Sequence, residues 1–139
     1  MRKFMLIALL CLALALSAAA LAEAAQPDVD LTNLDTVDAI DELYAMAEAP
    51  ESNQGKVVRL RGYFAYSNWG GEEIFLLISG GASCCASQIE FVPAEVPEDL
   101  EQLMLSDNPI IIQGILDFYD NDGYDDVRLI DAQIERAAL

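Results

Sequence analysis

The most reactive side chains in this chain belong to two adjacent cysteines, Cys84 and Cys85, set in a run of small residues from Gly80 to Ser87. An apolar stretch, Ile74 to Ser79, leads into that run, and another, Gln88 to Val92, leads out of it. Adjacent thiols can close a vicinal disulfide, although its small ring demands a distorted or cis peptide at a non-proline bond. Through their thiolates they can instead hold a soft ion such as Cu(I). A structural zinc site takes four ligands, so two cysteines without a histidine would need a second copy of the chain to complete it. The two intervening residues of a thioredoxin-like redox pair are missing. Beside these readings stand three quieter ones: buried thiols, a ring that merely pins the loop, and a disulfide to another molecule. Gly80-Gly81 would let the loop change shape with the oxidation state of the pair.

A second constellation is acidic. Asp117, Asp120, Asp122, Asp125 and Asp126 lie around Asn121 and Gly123, and suggest a calcium loop, with Asp120, Asp122 and Asp125 as its candidate ligands. An EF-hand needs oxygen ligands at its first, third, fifth and twelfth positions, with glycine at the sixth. Placing Gly123 sixth puts Asp120 and Asp122 correctly, but leaves Phe118 first and Leu129 twelfth. The motif fails, which leaves a weak calcium site of another kind or a hairpin turn edged by solvated carboxylates. The third constellation is aromatic: Tyr63, Tyr66 and Trp69, with Phe75 nearby, could stack a ligand or pack a core.

There is no histidine, which excludes a Ser-His-Asp site. No glycine-rich phosphate loop opens a helix, and no carboxylate pair stands apart from the acidic background. Enzyme activity is not expected, nor any cofactor beyond a soft metal ion at the cysteines.

The elements that must position these residues begin with a leader. Arg2-Lys3 precede an uncharged apolar run from Phe4 to Leu16, and Ala20-Leu21-Ala22 before Glu23 form a small-x-small cleavage pattern. Residues 1–22 therefore read as a signal peptide, with a retained anchor as the competing reading. Cys11 leaves with that segment, and since it follows Leu10 it does not fit a lipidation site. The remaining 117 residues suit one domain, exported to a periplasmic or extracellular space where disulfides persist and with no stable membrane span after cleavage. Without Arg2 and Lys3, five basic residues face 24 acidic ones. Such a chain repels phosphate backbones, so nucleic acid is not an expected partner.

Residues 23–35 are polar and acidic and read as a flexible lead-in. Asp35 or Thr36 can cap a helix over 36–48, with Val37, Ile40, Leu43, Tyr44 and Ala47 as its apolar stripe and Pro50 as its stop. A first strand covers 57–66 with Val58, Leu60, Gly62 and Phe64 on one face, and Ser67 to Gly71 form a turn. Strands follow over 73–79 and 88–92, then a short helix from Pro97 to Met104 or Leu105, then strands over 110–119 and 126–134. Interior glycines at 62 and 114 suit strongly curved strands. This order predicts a mainly β chain: a five-stranded OB-like barrel over 36–135, with an N-terminal amphipathic helix and a short helix between strands three and four. A half-open α+β sheet is the alternative.

The segment Gly55-Lys56-Val57-Val58-Arg59-Leu60-Arg61-Gly62-Tyr63, taken with Ser83-Cys84-Cys85-Ala86, resembles the C-terminal domain of the YcgQ-like family over residues 55–135. It departs from that family at Ser87, where an acidic residue is expected. The resemblance implies an OB-like fold and a place in the bacterial envelope beside a permease, but no activity. The expected role is an accessory or binding module whose partner is another envelope protein or a small ligand. The alternative is a thiol-dependent metal-binding or redox-responsive protein acting through Cys84 and Cys85.

Overall fold

The structure is a computed structural model that describes residues 26–80 and 87–136. The leader, Cys84 and Cys85 lie outside the described residues, as does the side chain of Trp69. In order, the chain forms β1 (Val29–Asp30), α1 (Thr36–Met46), α2 (Pro50–Asn53), β2 (Val57–Trp69), β3 (Glu72–Ile78), β4 (Gln88–Pro93), α3 (Leu100–Met104), β5 (Ile110–Asn121) and β6 (Tyr124–Arg136). It is mainly β. The six strands make one sheet in the order β1-β2-β3-β4-β6-β5, and a further β2–β5 pairing closes five of them into a ring. β4 runs parallel to β6, and β1 runs parallel to β2; the other pairings are antiparallel.

Ring closure depends on β2 being long enough to serve two neighbours. Val57 to Gly62 pair with β5, and Tyr63 to Trp69 pair with β3. The exchange falls at Gly62, where a Cβ would stand 2.7 Å from Leu77 Cγ and 2.8 Å from Thr36 Cγ2. Glycine there lets β3 and the start of α1 close on the strand. The expected alternation holds, with Val58, Leu60 and Phe64 buried. The strand then runs further than expected: Trp69 pairs with Glu72, which tightens the Ser67–Gly71 turn to Gly70-Gly71. At the other hairpin Asn121 pairs with Tyr124, leaving Asp122 (φ 53°) and Gly123 (φ 91°) as a two-residue loop with both residues left-handed.

The core is one cluster. Phe64, Phe75 and Phe91 meet with ring centroids 6.0–6.4 Å apart, among Leu60, Leu77, Ile89, Ile112, Leu116 and Leu129. From α1 come Ala39, Ile40, Leu43 and Met46. Ile40 and Leu43 are fully buried, worth about 1.5–3 kcal/mol each by area removed from water. The stripe is therefore rotated from its expected phase: Val37 and Tyr44 are 43% and 45% exposed. Seating Thr36 against Gly62 fixes the rotation.

The helix begins where expected. Asp35 Oδ1 accepts the Asp38 backbone N–H at 3.0 Å, satisfying one of the unpaired donors of the first turn. Asp35→Ala is expected to cost about 1 kcal/mol, read as a lowered midpoint in urea at unchanged slope. Pro50 does not simply stop the chain from being helical. It occupies the first turn of α2, where its missing N–H costs nothing, so a second, short helix follows the first. The short helix before β5 is also shorter than expected, and starts at Leu100 instead of Pro97.

The segment expected to be a flexible lead-in instead carries β1. Leu31 N–H donates to Arg59 O at 2.7 Å and Asp28 N–H to Val57 O at 2.8 Å, while the Leu31 side chain is buried. The apolar Leu31 anchors a backbone that polar composition alone would leave in solvent. β6 adapts to its two partners through an irregularity: register shifts occur between Phe91 and Pro93 and between Gln113 and Ile115. Both shifts are taken up around Asp131, which has a φ of 49°, opposite Gly114. A Cβ on Gly114 would lie 3.0 Å from Ile130 O and 3.1 Å from Leu129 Cβ, so the bulge and the glycine fit each other. No helix among the described residues is long and apolar enough to cross a membrane.

Candidate functional site

On β2, Tyr63 and Tyr66 fall on opposite faces, because side chains alternate along a strand. Tyr66 packs against the core, its ring 5.3 Å from that of Phe75, and its hydroxyl donates to Glu73 Oε1 at 3.1 Å. Tyr63 belongs to the base of the cysteine loop. There Ser79 N–H donates to Ser87 O at 2.9 Å, tying the two ends of the loop together. A Cβ on Gly80 would collide with the Tyr63 ring, at 2.9 Å from its Cδ2. A hollow of about 760 Å³ opens beside this base, lined by Tyr63, Ile78, Ser79 and Gly80 and by the acidic start of α1.

The acidic hairpin is built as a turn. Asp120 Oδ1 accepts the Gly123 N–H at 2.7 Å, and Asp120 faces Asp125 across the pair of strands. Among the described residues, no group of three or more acidic, cysteine or histidine side chains is placed to hold a metal ion.

A different set of residues comes together on the outer face of the ring. Leu76 on β3 pairs with Glu90 on β4, Glu90 with Arg128 on β6, and Arg128 with Asp117 on β5. This row lies on the face opposite the buried Leu77, Ile89, Leu129 and Leu116. Arg128 Nε donates to Asp117 Oδ2 at 2.9 Å, and its guanidinium carbon sits 4.2 Å from the centre of the Tyr119 ring. The Tyr119 hydroxyl reaches across to donate to Glu90 Oε2 at 3.2 Å.

The network has an anchor at its far end. Beyond the last β2–β5 pair, Gln54 bonds to β5 with its side chain: Nε2 donates to Asp117 Oδ1 at 3.0 Å, and Oε1 accepts the Phe118 N–H at 2.9 Å. Gln54 thus continues the strand pairing by one step and fixes Asp117 for Arg128.

These side chains border a groove of about 360 Å³, whose lining includes Tyr44, Ile74, Leu76, Glu90, Tyr119 and Asp126. Tyr44 enters from α1, its hydroxyl 3.4 Å from Gln88 O. Burial, the negative charges of Glu90 and Asp126, and the bond to Glu90 push the Tyr119 hydroxyl up to about 12. Burial and then the Asp126 charge raise that of Tyr44 as well. Because the folded state holds the Tyr119 proton more tightly than the unfolded chain does, its stabilising contribution is complete below pH ~10 and lost as pH rises towards 12. Glu90→Gln is expected to lower this titration without restoring the ordinary value, since burial is the leading cause. The difference in phenolate absorbance between the protein and its Tyr119→Phe variant, each with and without Glu90→Gln, measures it. An unchanged titration would exclude the Glu90 contact.

The sequence marked Tyr44 only as part of the helical stripe and Asp126 only as part of the acidic turn, and it did not mark Glu90 or Tyr119 as site residues. Tyr119 and Asp126 face each other across the β5–β6 hairpin, and the parallel β4–β6 pairing and α1 bring the distant Glu90 and Tyr44 to them. No family model matches this chain, and neither the curated proteins nor the solved structures give a match.

Proposed function

We propose that this chain is an exported accessory or binding module of the bacterial cell envelope. In this reading it is an OB-like barrel that takes a small ligand, or a segment of another envelope protein such as a permease, on its outer face. The observation that carries the reading is the groove over β3 and β4. Its walls come from strands of the closed ring, and Ser67 and Asn121 extend its lining towards both hairpin turns. The strand order supports the barrel: the ring's first strand pairs with its second and fourth, and its third and fifth run parallel. In OB-like barrels the face of the second and third strands and the loops beside it are where ligands bind.

The test uses the full chain made with its own leader and recovered from outside the cytoplasm. Its mass is expected to show cleavage before Glu23. Amide NMR spectra are then recorded against a panel of small cationic, neutral and anionic compounds. Saturable shifts clustered at residues 74–76, 88–90 and 119–127 support the reading, and a panel that leaves all of these unmoved overturns it.

A second reading has its own observation. The cysteine loop is cinched at its base by the Ser79–Ser87 bond, and Gly80 is packed tightly against Tyr63. A change in the bonding of Cys84 and Cys85 would therefore be felt at Tyr63 and the hollow beside it. Under this reading Cys84→Ser with Cys85→Ser abolishes a response to oxidant or Cu(I), and a parent protein with no such response excludes it.

A further inference from the structure

We infer that the groove between Tyr44, Glu90, Tyr119 and Asp126 is a site for a small aliphatic ammonium ion, an inference that rests on the binding role proposed above. The case begins with donors and acceptors. The Tyr119 hydroxyl is spent on Glu90, the Tyr44 hydroxyl on Gln88 O, and the Asn121 amide on Asp126 Oδ2 at 3.2 Å. These three donors each already have an internal acceptor. Glu90 and Asp126 keep further lone pairs, since each carboxylate oxygen carries two, although Asp126 Oδ1 already accepts the Val127 N–H at 2.8 Å.

Charge points the same way. Among the described residues, the ion pairs are Arg59 with Glu135, Arg128 with Asp117, and Arg136 with Asp99. Neither Glu90 nor Asp126 has a basic partner in that set. Arg128 is the cation adjoining the groove, and it is committed to Asp117 and to the Tyr119 ring. The half-buried Glu90 and Asp126 are diagonal neighbours on adjacent strands, since Glu90 pairs with Arg128, two residues beyond Asp126. An anion would meet uncompensated negative charge there. Ser67 and the Gln88 side chain could serve a neutral polyol, but they leave both carboxylates unpaired.

The rest of the lining supplies a stem site. Ile74 and Leu76 are half-buried apolar side chains in the same lining as the two tyrosines. A short alkyl chain can lie on them while its ammonium head meets the carboxylates and the electron-rich tyrosine rings.

The test titrates butylammonium chloride into the full chain, followed by amide NMR, with butanol as the neutral isostere and butyrate as the anionic one. Butylammonium is expected to give saturable shifts at residues 74–76, 88–90 and 119–127, tighter than either isostere. Glu90→Gln and Asp126→Asn are each expected to weaken it about 10-fold, the scale of a charge-assisted hydrogen bond, with butanol unaffected. Should a variant fail to give a folded spectrum, the parent protein carries the same test: added sodium chloride is expected to weaken butylammonium and spare butanol. Butanol binding as tightly as butylammonium, or butylammonium indifferent to salt and to both substitutions, overturns the ammonium inference and leaves the binding role standing. Groove amides unmoved by all three compounds overturn both.

Discussion

Phe91→Ala is expected to cost about 3–5 kcal/mol, the largest loss from any single core truncation in this chain. Phe91 is 1% exposed and meets both Phe64 and Phe75, so its removal takes away two ring contacts and leaves a cavity that neighbours on three strands cannot fill. Domains of this size have about 5–15 kcal/mol of stability in total, so the variant should lie near or below the limit for folding. Phe91→Leu, which keeps more of the volume, should be markedly milder. Urea unfolding of the three proteins decides it. A Phe91→Ala midpoint close to that of the parent would mean that the three rings do not hold the sheet together. The result also bears on the groove, because Glu90 is the residue next to Phe91 and depends on the same strand staying in place.

Gly62→Ala ranks second and acts by the opposite mechanism. The new methyl would meet Leu77 Cγ and Thr36 Cγ2 at distances no relaxed structure accepts. Overpacking of this kind costs about 1–3 kcal/mol. Thr36→Ser removes one of the two obstructing groups, so the pair of substitutions should be less harmful together than the sum of each alone. Strict additivity in that cycle would show that Gly62 and Thr36 are not in contact. Gly55 offers the contrast: its φ of 81° also calls for glycine, but nothing lies within 4 Å of a Cβ there. Gly55→Ala would report backbone strain alone, and Thr36→Ser should not relieve it.

What could be read from the residues was whatever depends on near neighbours. The alternation of Val58, Leu60 and Phe64, the cap at Asp35, the two glycine-containing hairpins and the curvature implied by Gly62 and Gly114 are all local, and all appear in the structure. The rotation of α1 was not legible, since Val37, Ile40 and Leu43 satisfy a helical period as well as Ala39, Ile40 and Leu43 do. The contact at Gly62 chooses between them. Tyr63 and Tyr66 were grouped by closeness in the chain, although their odd spacing on a strand already separates their faces. The outer-face groove was beyond local pattern altogether. It unites Tyr44, Glu90 and Tyr119 through elements whose adjacency is set by the whole ring, and Gln54, at the end of α2, holds Asp117 beside it.

The parallel pairing of β4 with β6 also sets a timetable for the chain. β4 is complete by Pro93, but one of its two neighbours is the last strand, ending at Arg136. Until that strand is made, one edge of β4 is open, and β5 lacks its most extensive partner. A chain emerging residue by residue therefore cannot lock its sheet early, and its final closure joins segments distant in sequence, the slow kind of contact to form. If the chain is exported as proposed, through a channel that only an unlocked chain can thread, late closure would keep the polypeptide passable until β6 had been delivered.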